Sequence, residues 1–251
     1  MANMLRVVIP VDSMDVTSWK LAVRYALEIA NKTSPPATDV VLLTHTKSQL
    51  DHTSLASHLG QTVTKALSKG EIFNLDSAVR LRFATLRTLG HSTRNSVVIA
   101  FYADERMLET LDGQRGVVGI AAVPQFDGDI DQWINIWNPV VHGRKPEATK
   151  PLIDDPVIEK ALESITTKSN TDNAVLHTDD RKFADGVFRI LRAKGHKLDP
   201  TAIKSWAIRA NWKPDAADEL CKVAAKVAKF KNKPSLGAIH NPDEHYERWK
   251  S

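Results

Sequence analysis

The sequence predicts an α/β fold: a Rossmann-like, doubly wound, mainly parallel sheet of about five strands, followed by an all-helical bundle. Three observations carry this. Up to residue 143, apolar runs of strand length alternate with helical stretches. After residue 156 the periodicity is helical only. Between them, His142-Gly143-Arg144-Lys145-Pro146 leads into a Pro-rich, mixed-charge segment ending at Pro156, which suits a linker better than a core. The expected organisation is therefore an α/β domain over 1–143, a linker over 144–156, a helical bundle over 157–233 and a polar tail over 234–251.

Each element has its own signal. Leu5–Val11 is short, apolar and β-branched, as in a buried parallel strand. Thr17–Ala30 places Trp19, Val23, Ala26, Leu27 and Ala30 at helical spacing. Asp39–Thr46 reads as the second strand, and Leu50–Leu67 as one helix with Leu55, Leu59, Val63 and Leu67 on a stripe. In Ala78–Leu89 the alternation of Val79, Leu81 and Phe83 with arginines favours a strand. Val97–Ala103 is a buried strand, and Asp104 is placed to cap a helix carrying Met107, Leu108 and Leu111. Gly116–Val123 is the next strand and Ile130–Trp137 a short helix.

In the second part, Pro156–Ile165 reads as a helix and Asn170–His177 as a polar connection. Asp179–Ala193 is a helix closed by Gly195. Asp199-Pro200 starts the next as N-cap and first helical residue. Pro214 opens the last long helix, with Leu220, Ala224 and Val227 inward.

Composition bounds the class. Hydrophobic residues make up 42% and charged residues 25%, as in ordinary globular proteins. The lone Cys221 permits no intrachain disulfide and reads as a small core residue. No signal peptide or membrane span is apparent, so a cytoplasmic protein is expected, and a homo-oligomer. The net charge of +4 comes mostly from the second part, with 16 Lys and Arg against 15 acids up to Lys150 and 18 against 15 beyond it.

In a doubly wound sheet, ligands bind outside the carboxyl ends of the strands. That rule selects Asp12, Ser13, Thr44, His45, Tyr102 and Asp104 as candidate ligand-binding residues. Asp12 and Asp104 equally suit helix caps. The opening Val7-Val8-Ile9-Pro10-Val11-Asp12, followed by a helix with Trp19, Ala22, Tyr25, Ala26 and Ala30, resembles the start of universal stress proteins over about 30 residues. The resemblance implies an adenine nucleotide near Asp12. It does not extend to the glycine-rich phosphate loop of that family, where this chain has Asp104-Glu105-Arg106-Met107.

No phosphate-loop or dinucleotide fingerprint is present, and the sequence assigns no cofactor. Asp127, Asp129 and Asp131 open like a calcium loop, but Gln132 and Asn138 stand where Gly and Glu are needed. His240 and His245 with Asp243 and Glu244 read as a solvated tail rather than a metal site. Trp133 and Trp137, four apart, share a helical face and either pack inward or floor a planar ligand.

Lys204, Arg209, Lys213, Lys222 and Lys226 are the candidate nucleic-acid contacts, with Lys222, Lys226, Lys229 and Lys233 forming a stripe. The alternative is a solvated helix face. Ile203-Lys204-Ser205-Trp206-Ala207 is similar to a motif in the DNA-binding half of a nucleoid-associated protein family, whose Arg-Gly-Arg element has no counterpart here. The expected function is non-enzymatic ligand sensing or regulation, with an α/β small-molecule site and a helical partner-binding domain. A nucleic-acid-associated role and a structural or assembly role are the alternatives. An enzyme built on Asp12, His45 and Asp104 ranks last.

Overall fold

The computed structural model describes residues 4–91, 93–145, 151–169 and 176–251. The chain divides into two compact units, Met1–Ala148 and Thr149–Ser251. Part of the expected linker (146–150) and most of the polar connection expected over Asn170–His177 (170–175) lie outside the described residues.

The described residues of the first unit form seven strands: β1 (Leu5–Val8), β2 (Asp39–Thr44), β3 (Phe73–Asn74), β4 (Arg80–Thr85), β5 (Ser96–Ala103), β6 (Val117–Pro124) and β7 (Val140–Val141). Their order is β3-β4-β2-β5-β6-β1-β7, with only the β3–β4 pair antiparallel. The expected five are all present. The two additional strands are two residues each, too short to leave an alternation signal. β2 and β5 are buried at every position, which is why they read as unbroken apolar runs.

Side-chain alternation sends Val40, Leu42, Val97 and Ile99 to one face, where they pack with Ala22, Ala26 and Ile29 of α1 (Val16–Lys32). Val41, Leu43, Val98 and Ala100 face the other side, against α5 (Glu105–Asp112) and α6 (Asp131–Trp137). Helices thus cover both faces. The Rossmann strand order is not followed, because there the first strand is central. Here β1 lies between β6 and β7, so α1 must cross β6 and β5 to reach β2. Gly119 permits that crossing: a Cβ there would meet Ile29 Cγ2 at 2.3 Å.

The single helix expected over Leu50–Leu67 is three: α2 (Lys47–His52), α3 (Ser54–Leu59) and α4 (Gln61–Ser68). Thr53 causes the first break. Its hydroxyl donates to the Gln49 carbonyl at 2.5 Å and accepts from the Leu55 N–H at 3.3 Å, and such local bonds compete with the helical ladder. Gly60, at φ +79°, makes the second. Asp104 caps α5 as expected, accepting from the Met107 N–H at 2.8 Å. Asp12 is not a cap: Asp15 caps α1 through the Thr17 N–H, while Asp12 holds a turn through the Met14 N–H.

Trp133 lies in the core of this unit and Trp137 packs against that core. Both indole N–H groups donate to Asp112 Oδ2 at 2.7 Å. Arg6 donates to Asp112 Oδ1 through Nε and Nη2 at 3.1 and 3.0 Å. The Arg6 guanidinium also lies 3.5 Å from the Trp137 ring centre.

The second unit is helical: α7 (Pro156–Lys168), α8 (Thr178–Ala193), α9 (Pro200–Arg209), α10 (Pro214–Ala228) and α11 (Pro242–Lys250). Its core includes Ile158, Leu162, Ile165, Val187, Phe188 and Leu220. The polar tail expected over 234–251 is corrected by α11, whose Trp249 is 5% exposed. One tryptophan in a charged segment leaves too weak a periodic signal to find such a helix.

Asp155 and His196 anchor that helix. His196 Nδ1 is 2.5 Å from Asp155 Oδ2 and Nε2 is 3.0 Å from the Tyr246 hydroxyl. Burial alone would raise the Asp155 carboxyl; hydrogen bonds from His196 and the Val157 N–H outweigh it and hold the group below its ordinary value. Tyr246→Phe is expected to lower the stability of the helical unit by about 1 kcal/mol. The urea midpoint followed by circular dichroism checks this, and an unchanged midpoint would remove Tyr246 as an anchor.

Candidate ligand-binding cleft

At the carboxyl ends of the strands, a neighbouring pair whose following helices lie on opposite faces leaves an opening. β6 and β1 are such a pair: α6 follows β6 on one face and α1 follows β1 on the other. A cleft of about 800 Å³ lies there. It is lined by residues 10–14 after β1, Tyr102 of β5, residues 124–127 at the end of β6, and residues 52–54 between α2 and α3.

Three of the six candidate ligand residues line it: Asp12, Ser13 and Tyr102. Tyr102 adopts φ +62°, a left-handed conformation that bulky side chains avoid. It is the extra residue where the β5–β6 register shifts between Phe101 and Ala103, and bulges of this kind re-aim side chains. Its hydroxyl is 2.6 Å from Thr53 Oγ1 and 2.9 Å from Ser54 Oγ, and accepts from the Leu55 N–H at 3.3 Å. The phenol is therefore fully engaged and forms a fixed wall. The Phe101 ring packs edge-on against it at 4.9 Å.

Ser13 is 5% exposed. Its carbonyl oxygen lies 3.0 Å from Ser54 Oγ and 2.9 Å from His58 Nε2. Its hydroxyl has no partner among the described residues. The oxygen is not among the fully enclosed polar atoms left without a partner, so solvent reaches it from the cleft.

Thr44, His45 and Asp104 do not line the cleft. The Thr44 hydroxyl is buried and donates to the Thr46 carbonyl at 2.8 Å. His45 Nε2 is 3.1 Å from the Tyr102 carbonyl and 3.6 Å from Asp104 Oδ2, so this pair braces the backbone of the strained tyrosine. Asp104 is committed to its cap. The wall made by His52, Thr53 and Ser54, and the rim made by Met14, Phe126 and Asp127, were missed in sequence. The Thr53-Ser54 pair inside an apparent helix was the available signal.

The five basic candidates of the helical unit have different surroundings. Lys204 is 2.8 Å from Asp218, and Lys226 is 3.6 Å from Asp185. Arg209 is half-buried, and burial lowers its guanidinium against the pull of Glu159. Lys213 is half-buried at the N-cap of α10, and Lys222 is exposed. A phosphate would compete with carboxylates for two of these cations. Burial pushes the Cys221 thiol up, which disfavours the thiolate.

Among the described residues, no group of three His, Cys, Asp or Glu side chains could hold a metal ion. None of their helices is long and apolar enough to cross a membrane. Residues 154–250, within the helical unit, match the model of a family described as a domain of unknown function (DUF1889). No curated protein and no solved structure matches the chain.

Proposed function

We propose that the chain is a ligand-sensing regulatory protein. Its α/β unit holds a small organic molecule in the cleft beside β1 and β6, and its helical unit engages a partner. The observation that carries this reading is the cleft itself at that strand-end opening, with the Ser13 hydroxyl on its wall free of a protein partner among the described residues. A bound molecule would take the hydrogen bond that water otherwise makes to it. Tyr102 adds support. Holding a bulky residue in the left-handed region costs about 1–3 kcal/mol, and such strain concentrates at ligand sites. The position at a switch of helix faces is where open α/β sheets bind ligands.

The test is native mass spectrometry of protein purified without added ligand, followed by denaturing extraction and a thermal-shift panel of metabolites. A stoichiometric small molecule, or a shift from one that Ser13→Ala reduces, is expected. An empty protein that no metabolite stabilises would overturn the reading.

A further inference from the structure

We infer that the cleft takes a small organic cation with a flat, apolar body, such as an aromatic or aryl-alkyl amine. This rests on the reading that the cleft is a ligand site. Among the described residues its charged lining is Asp12 and Asp127, with His52 beside them and no Lys or Arg. One Asp12 oxygen accepts from the Met14 N–H at 2.9 Å. The Asp127 carboxylate has no partner among the described residues. Two carboxylates around one cavity repel an anionic ligand and attract a cation.

Near the cleft, the Leu55 N–H is taken by Thr53 and Tyr102, and the Thr17 N–H by Asp15. A phosphate group would meet two carboxylates and, among the described lining residues, no lysine or arginine to hold it. This departs from the nucleotide that the opening residues suggest by resemblance.

The apolar part of the ligand is set by the rim. Phe126 is 66% exposed and Met14 75% exposed, large apolar side chains left in water beside the carboxylates. An aromatic face next to negative charge favours a cation that also has apolar surface to bury. The Ser13 hydroxyl, on the wall of the same cleft, meets a polar atom of the same ligand.

The experiment uses three probes that share one ring and differ in charge: tryptamine, tryptophol and indole-3-acetate. Each is titrated calorimetrically into the full chain at low and high salt, for wild type, Asp127→Asn and Phe126→Ala. Tryptamine is expected to bind at least about tenfold tighter than indole-3-acetate, with the gap shrinking at high salt. Asp127→Asn should weaken tryptamine several-fold and leave tryptophol unchanged; Phe126→Ala should weaken both. Unchanged urea midpoints would show that both variants fold.

Indole-3-acetate binding as well as tryptamine would overturn the cation inference and leave the cleft a ligand site. Tryptamine binding that ignores both substitutions would overturn the placement. If none of the three binds, the charge of the molecule recovered by native mass spectrometry decides: a cation upholds the inference and an anion overturns it. No recovered molecule overturns both it and the reading beneath it.

Discussion

Asp112→Ala is expected to lower the stability of the α/β unit by about 3–5 kcal/mol, the range for removing one partner of a buried ion pair. The Asp112 carboxylate binds Arg6 through one oxygen and the indoles of Trp133 and Trp137 through the other. Removing it leaves a buried guanidinium without its anion and two indole N–H groups without an acceptor. The urea midpoint, followed by the fluorescence of those indoles, measures the loss. A change below about 1 kcal/mol would show that the site relaxes to solvent.

The same group makes stability depend on pH. Burial pushes the Asp112 carboxyl above its ordinary value, and the opposing pull of Arg6 and the indoles does not cancel it. A carboxyl raised in the folded state loses its proton first in the unfolded chain. Stability from this group is therefore fully present below the ordinary carboxylate range. It falls as pH rises from there to the raised folded value, and is level above. Glu105, half-buried and accepting from the Trp133 N–H at 3.0 Å, is raised too by burial and adds a slope of the same sign. Asp112→Asn should remove its share of that slope, which urea midpoints taken across mildly acid pH would reveal.

Gly116→Ala is expected to cost about 2–5 kcal/mol, combining left-handed backbone strain with overpacking. Gly116 stands at φ +88°, and a Cβ there would lie 2.2 Å from the Thr93 carbonyl oxygen and 2.9 Å from its carbon. Both obstacles are backbone and cannot swing away. Gly116 also accepts from the Ser96 N–H at 2.9 Å, so any shift to relieve the clash disturbs the start of β5. Gly90→Ala is the control: its φ is ordinary and nothing lies within 4 Å of the added methyl. Equal urea midpoints for the two variants would show that the turn before β6 yields without cost.

The elements legible in the sequence were those whose signal is local and long. β2, β5 and β6 are runs of six to eight residues that declare themselves as buried strands. Asp104 and Asp199 declare helix starts because capping involves neighbours in the chain. β3 and β7 exist only because β4 and β1 offer them an edge, so nothing local marks them. α11 is held by Trp249 and by Tyr246 reaching a histidine 50 residues away, against a charged local composition.

The candidate site divides the same way. The sequence by itself determined that Asp12, Ser13 and Tyr102 stand at the carboxyl ends of strands, because each ends an apolar run and strand direction follows from alternating elements. It also determined that the second half is helical, since that periodicity is carried residue by residue. Only the tertiary structure decided that β1 lies beside β6, that Thr53 turns a helix into a cleft wall, and that Asp112 joins Arg6 to two tryptophans. Those contacts join residues far apart in the chain. Their free energy exists only once the chain has closed on itself, and no local pattern records it.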